Sequence, residues 1–167
     1  MNGWLLFLVL ASMPWRPQYW TPIAHTPVEW SNTRCHHARA CYYDQTIYLQ
    51  GEWEDNPWDE GLQHAVLHEL QHHFLCTYRT WRTAGGWPEF ERLVSELLGS
   101  GSLSQDQRSY LSTLLHDSQS HELHAELPWV LQGKIPPQFA QWYPWFYTKG
   151  GSRITPPQEY APWSIFD

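Results

Sequence analysis

The stretch His68-Glu-Leu-Gln-His72 has the residue types and the spacing of a metal site on a helix. Residues four apart lie nearly on one face of an α-helix, so His68 and His72 could hold one metal ion, with Glu69 leaning toward it. Zinc at such a site lowers the pKa of a bound water and polarises a carbonyl group. Glu69 would accept the proton of that water and pass it to a leaving amine. The motif therefore predicts hydrolysis of a peptide bond.

The flanking sequence predicts the helix that this spacing requires. Asn56 or Asp59 could cap it, Pro57 suits a first turn, and neither Gly nor Pro occurs from Leu62 to Arg82. At about 100° per residue, the face opposite His68 is apolar and would pack on the core. It comprises Val66, Leu67, Leu70, Phe74 and Tyr78. The alternative is a surface helix with incidental histidines, in which His73 would resemble His68 and His72.

A catalytic zinc needs a third protein ligand and an open position for water. Glu122 and Glu126 lie four residues apart in the stretch 121–126 and share a helical face. Glu122 is the predicted third ligand. Ligating histidines usually donate their second ring N–H to a carboxylate, so Glu126 is predicted to orient His68 or His72.

Two histidines compete with Glu122 for the third position. His121 and His124 both carry imidazole, but a helix that turns Glu122 and Glu126 inward would turn His124 toward solvent. A solvated or hydrogen-bonded imidazole is the alternative for either. Nearby Asp117, next to His116, is predicted to cap a helix.

With these residues in place, the chain resembles the gluzincin class of metallopeptidases over about residues 40 to 130. That class has H-E-x-x-H followed on a later helix by a Glu ligand and, four residues on, an acidic residue, here Glu122 and Glu126. The resemblance implies that the strand Thr46–Leu49 is an edge strand preceding the zinc helix, against which an extended substrate lies. The metzincin continuation H-E-x-x-H-x-x-G-x-x-H is absent, since His72 is followed by His73-Phe-Leu-Cys76.

A second donor to the reaction oxyanion is commonly Tyr or His. The candidates are Tyr110, His116, Tyr143 and Tyr147, each of which has packing as its alternative role. The aromatic run from Trp142 to Tyr147 could line a substrate cleft or fill the core.

Three cysteines are present. If the chain is exported, one disulfide and one free thiol are expected. A second metal site from Cys35, His36, His37 and Cys41 lacks a standard zinc spacing. Cys76 is expected to be a small buried residue or a disulfide partner.

The fold class predicted is α+β: a mostly helical single domain with a small β-sheet whose edge strand precedes the zinc helix. Strands are expected near Pro27 to Trp30 and Tyr42 to Gln50. Helices are expected after Pro88, from Ser104 to Leu115, from Ser118 or Ser120 to a stop or bend at Pro128, and from Pro136 to Tyr143. The domains are an apolar and Pro-rich segment 1–25, a metallopeptidase-like domain 26–147, and a Pro-rich tail 148–167.

The 167 residues carry a net charge of −7, with 42% hydrophobic and 16% charged residues, which suits one domain with a real core and disfavours nucleic acid as a partner. The apolar run from Trp4 to Ala11 fits a short signal-peptide core and is too short to span a bilayer. No Lys or Arg precedes it, so export and a cytoplasmic location both stay open. The sequence predicts no oligomeric state.

Two functions from different classes follow. The first is a zinc peptidase acting on a peptide or protein. The second is a non-catalytic zinc-stabilised domain that binds a protein partner, with a fourth protein ligand closing the metal site. An intact Glu69 favours the first.

Overall fold

The computed structural model describes residues 27–36, 38–51, 59–143, 148–149 and 152–153. It is α+β, mostly helical, with a small three-stranded sheet beside the helices. The predicted signal-like start and most of the C-terminal tail lie outside the described residues. The described helices include none with both the length and the apolarity needed to cross a bilayer.

The three-stranded sheet has the order β1-β3-β2, with β1 at Val28–Trp30, β2 at Ala40–Tyr43 and β3 at Thr46–Leu49. β1 runs parallel to β3, and β2 runs antiparallel to it. The β2–β3 turn, Asp44-Gln45, has positive φ at both residues, as a tight two-residue hairpin requires. A further two-stranded hairpin pairs β4, Thr148–Lys149, with β5, Ser152–Arg153.

The expected edge strand is therefore wrong in one detail. Thr46–Leu49 is the central strand, because β1 pairs with its second edge. The two edge strands are β1 and β2, and β2 packs against the long helix that follows the sheet. A disulfide between Cys35 and Cys41, with the two Cα atoms 5.5 Å apart, ties the first residues of β2 to the preceding loop.

The long helix α1 spans Glu60–Tyr78. Asp59 is its N-cap, its Oδ1 accepting a hydrogen bond from the Leu62 N–H at 3.1 Å; Asn56 and Pro57 lie outside the described residues. The expectation of an unbroken helix to Arg82 is wrong. Arg79 takes a left-handed conformation, φ 50°, which ends α1 without Gly or Pro.

The predicted apolar face of α1 is confirmed where the structure describes it. Its side chains are fully buried: Val66, Leu67, Leu70 and Phe74. The side chain of Tyr78 is outside the described set. The surface-helix alternative is wrong, since Glu69 and His73 are also buried.

Four shorter helices follow. They are α2, Thr80–Thr83; α3, Trp87–Gly99; α4, Gln105–His116; and α5, Ser120–Val130. Pro88 lies in the first turn of α3, and Ser104 forms a capping box with Gln107 at the start of α4, both as predicted. Asp117 is not an N-cap; it is the C-cap of α4.

Pro128 does not end α5, and the carbonyl group that would otherwise lack a hydrogen bond because of this proline has a partner. A proline has no N–H to donate to the carbonyl four residues earlier, here that of His124. The Tyr143 hydroxyl donates to this carbonyl instead, at 2.8 Å. The helix predicted at Pro136 to Tyr143 is a single 3₁₀ turn, Pro137–Phe139, which seats Phe139 and two following aromatic residues in the core.

Candidate metal centre

Three predicted ligands converge where α1 packs against α5. The Nε2 atoms of His68 and His72 are 3.1 Å apart. The carboxylate of Glu122 lies 3.0 Å from His68 Nε2 through one oxygen and 3.4 Å from His72 Nε2 through the other. Two imidazole nitrogens and a carboxylate thus face one point from two helices.

These separations fit metal ligands. Zinc binds His nitrogen and carboxylate oxygen at about 2.0–2.2 Å, so two ligand atoms at tetrahedral positions stand about 3.3 Å apart. The three observed separations, 3.0, 3.1 and 3.4 Å, all lie near that value. His68, His72 and Glu122 could therefore hold a single metal ion.

Glu126 contacts the opposite nitrogen of His68. His68 Nδ1 donates to Glu126 Oε1 at 2.6 Å, which fixes the tautomer that leaves Nε2 free for a metal. The Glu126 side chain is only 8% exposed. This is the contact predicted from the spacing of Glu122 and Glu126.

The same contacts determine the charges. Burial acts to lower the pKa of His68, but hydrogen bonds with Glu122 and Glu126 raise it to about 10. Hydrogen bonds from His68 and His72 hold the pKa of Glu122 well below its usual range. Burial opposes the shift of Glu126, but hydrogen bonds from His64 and His68 lower its pKa to about 2. Glu122 and Glu126 are thus negatively charged at any pH at which a metal cation would bind.

Glu69 lies in a different environment from the other two carboxylates. It is buried, and this burial raises its pKa, while His68 and His72 act in the opposite direction. The backbone N–H of Tyr42 in β2 donates to its carboxylate. With its pKa raised, this carboxylate is a stronger base than an exposed glutamate.

A cavity of about 840 Å³ opens in front of these residues. Apart from His68, Glu69, His72 and Glu122, its walls are mainly small, apolar or aromatic: Ala38, Ala40, Cys41, Tyr42, Leu75, Cys76, Trp81, Trp87 and His121. Residues of the edge strand β2 thus form one wall. The cavity could hold part of a peptide next to the predicted ligands.

His124 is the clearest error of the sequence prediction. It does not turn toward solvent but is fully buried, with its ring stacked on Tyr143 at 4.5 Å. Its Nε2 lies 3.3 Å from the carbonyl oxygen of Trp142. The reason is that α5 is buried on both sides, so its second face meets the core as well. Burial also lowers the pKa of His124 to about 3.

His121 has a different position from His124. Its side chain is exposed, borders the cavity and packs its ring edge-on to Trp87 at 4.6 Å. Neither histidine belongs to the convergent group of ligand atoms found among the described residues.

The described candidates for the oxyanion donor differ in burial and in their contacts. Tyr143 is fully buried and its hydroxyl is used on α5, while His116 is 89% exposed at the end of α4. Tyr110 is half exposed; burial first, and then Glu126 and Glu122, raise its pKa to about 12. It is not among the cavity-lining residues, and Tyr147 lies outside the described residues. The packing role is right for Trp142 and Tyr143, which are core residues.

The cysteine predictions have mixed outcomes. The disulfide and the single free thiol are as expected for an exported chain, and the disulfide removes Cys35 and Cys41 as zinc ligands. Cys76 is neither buried nor paired; it is exposed beside the cavity.

Two site residues were not predicted. His64 lies four residues before His68 and reaches Glu126, and Tyr42 reaches both Glu69 and His73. The spacing of His64 was a usable signal, because it continues the i, i+4 series of His68 and His72. Tyr42 had no such signal, since its contact depends on how β2 lies against α1.

The chain was compared with protein-family models, with curated proteins and with solved structures, and none of these matches it. The function of the site therefore has to be inferred from its own geometry.

Proposed function

We propose that the chain is a zinc-dependent peptidase of gluzincin type. His68, His72 and Glu122 would be the ligands, and Glu69 the general base. The observation that carries the proposal is the set of ligand separations near 3.3 Å beside a buried carboxylate at an open cavity. A bound zinc ion would supply the Lewis acid that makes water nucleophilic at neutral pH and polarises the scissile carbonyl.

The protein residues would then move the protons. Glu69 takes a proton from the attacking water, and its raised pKa makes it a stronger base than an exposed glutamate. It passes the proton to the nitrogen of the leaving amine. The Tyr42 N–H keeps the carboxylate oriented during both transfers. His121 is the best candidate for the oxyanion donor among the described cavity residues, because its exposed ring borders the same cavity as Glu122.

Among the described residues no strand pairs with the outer edge of β2, and this supports a peptide as the substrate. The Gln50 N–H donates to the Arg39 carbonyl, which makes that pair hydrogen-bonded. In an antiparallel ladder bonded pairs alternate with non-bonded ones, so the backbone groups of Ala40 and Tyr42 point away from β3. Ala40 lies at the cavity wall, where an extended peptide could pair with it.

The disulfide supports a location outside the reducing cytosol. Bonds such as Cys35–Cys41 persist in oxidising compartments. Export, and a peptide or protein substrate met there, are therefore part of the proposal.

The test combines metal content and cleavage. Wild-type protein supplied with zinc should hold about one zinc per chain by elemental analysis and cleave members of a quenched-fluorescence peptide library. Glu69→Gln should keep the zinc but lose at least about 100-fold in kcat/KM. Glu122→Ala should lose zinc as well. Glu60→Gln, an exposed glutamate in the first turn of α1, is the matched control and should retain both.

Other results would point elsewhere. Absence of bound zinc would overturn the proposal. One tightly held zinc without any cleavage, in wild type and control alike, would favour the non-catalytic zinc-stabilised domain. Cleavage that survives Glu69→Gln would remove Glu69 as the base.

A further inference from the structure

His64 makes contacts that the proposed reaction does not use. It lies on α1 one turn before His68, and its Nε2 is 2.9 Å and 3.1 Å from the two oxygens of Glu126. Its ring is stacked on Trp129 with a centroid distance of 4.6 Å and an interplanar angle of 11°. A partly exposed histidine is thus fixed in both its plane and its direction.

The distances argue against a second metal ion between these side chains. His64, His68 and Glu126 do offer three ligand atoms close together. However, the 2.6 Å contact from His68 Nδ1 to Glu126 is far shorter than the about 3.3 Å between neighbouring zinc ligands, and it is normal for a charge-assisted hydrogen bond. A metal there would also require His68 to bind through both nitrogens. The cluster is therefore a chain of hydrogen bonds.

Glu126 needs a second partner to stay in place. A carboxylate has about four lone-pair directions, and His68 occupies only one of them. His64 spans both oxygens from the other side, at 2.9 and 3.1 Å. Glu126 is thereby held at the one position from which it accepts the Nδ1 proton of His68.

We propose that His64 is a positioning residue that acts through Glu126 to set the orientation and the metal affinity of His68. Trp129 fixes the His64 ring, His64 holds Glu126, and Glu126 orients His68. The inference rests on the metal site of the proposed function but not on peptide cleavage.

The test is zinc affinity, measured by competition with a chelator. His64→Ala should weaken binding about tenfold, the lower end of the range for partners that orient a ligating histidine. His64→Gln should restore affinity to within about threefold, because a glutamine amide can still donate to Glu126. His116→Ala, at an exposed histidine on α4, is the control and should bind as wild type does.

Two further readouts separate positioning from general destabilisation. The visible spectrum of the cobalt-substituted protein should change in His64→Ala and return in His64→Gln, since it reports the geometry at the ligands. Thermal unfolding in excess chelator should be nearly the same for both variants, because His64 is partly exposed. If His64→Ala does not fold, an affinity for His64→Gln more than tenfold weaker than wild type would contradict the proposal.

The outcomes also distinguish this inference from the proposed function. Unchanged affinity and cobalt spectrum in His64→Ala would overturn the inference, whether or not peptides are cleaved. Two zinc ions in wild type and one in His64→Ala would overturn it in favour of a second metal site. Weakened, Gln-rescued binding in a protein that cleaves no peptide would support the inference and refute the peptidase.

Discussion

Zinc affinity should rise steeply with pH well above neutrality. Before a metal binds, Glu122 and Glu126 hold the His68 proton so firmly that its pKa reaches about 10, although burial acts in the opposite direction. A histidine must lose a proton from the nitrogen that binds zinc. Below that pKa, each unit of pH makes the loss of the proton tenfold easier, and the apparent affinity increases by the same factor.

The size of the effect distinguishes this site from an ordinary pair of histidines. From pH 7 to pH 9 the affinity should rise on the order of 100-fold, which is roughly 3 kcal/mol. For a histidine at the usual pKa of about 6.5, the change over the same range would be less than about twofold. The pKa values of Glu122 and Glu126 are lowered, so neither carboxylate titrates in this window.

The assay is chelator competition at several pH values, corrected for the titration of the chelator and the hydrolysis of zinc. Proton release at pH 8, measured in weak buffer, should be close to one per zinc. In Glu126→Gln the acceptor of the His68 Nδ1–H is neutral instead of negatively charged, so the His68 pKa should fall and the rise should level off at lower pH. An affinity that is flat from pH 7 to pH 9 in the wild type would refute the argument that the two glutamates protonate His68.

Three further predictions concern the scaffold. Phe74→Ala, on the buried face of α1, should lower the free energy of unfolding by about 3–5 kcal/mol in urea titrations, and a loss below about 1 kcal/mol would contradict a packed core there. Replacing Cys35 and Cys41 by Ser opens a loop of sequence separation 6 and should cost about 2 kcal/mol, while zinc content, measured alongside, stays unchanged. Ser104→Ala should cost about 1 kcal/mol by loss of the α4 cap, whereas Ser95→Ala, exposed within α3, should stay within about 0.5 kcal/mol in the same thermal melts.

The helix α1 could be predicted in detail because it has two different faces. Its apolar residues share one face, and His68 and His72 lie on the other, so a period of 3.6 residues places both sets correctly. The end of the helix was missed because Arg79 takes a left-handed conformation that is uncommon for any residue with a side chain.

The helix α5 could not be predicted in the same way. The spacing of Glu122 and Glu126 correctly gives a shared face, but it does not say whether the opposite face meets water. His124 is buried there because Tyr143, nineteen residues later, returns to stack on its ring and to donate to its carbonyl. The strand order also depends on a distant segment of the chain. β1 pairs with the second edge of β3, and no local pattern in Thr46–Leu49 indicates this pairing.

Residue type and spacing do not show which of the three histidines and two glutamates between α1 and α5 surround one shared point and which form a hydrogen-bond chain, but their contacts do. Contacts of 3.0–3.4 Å surround the point shared by His68, His72 and Glu122, whereas the second set, His64, His68 and Glu126, contains a 2.6 Å contact between His68 Nδ1 and Glu126. The first set leaves room for an ion and the second does not. Because both sets repeat every four residues on their helices, a His four residues before H-E-x-x-H and an acidic residue four after the third ligand should together predict this hydrogen-bond chain in other sequences.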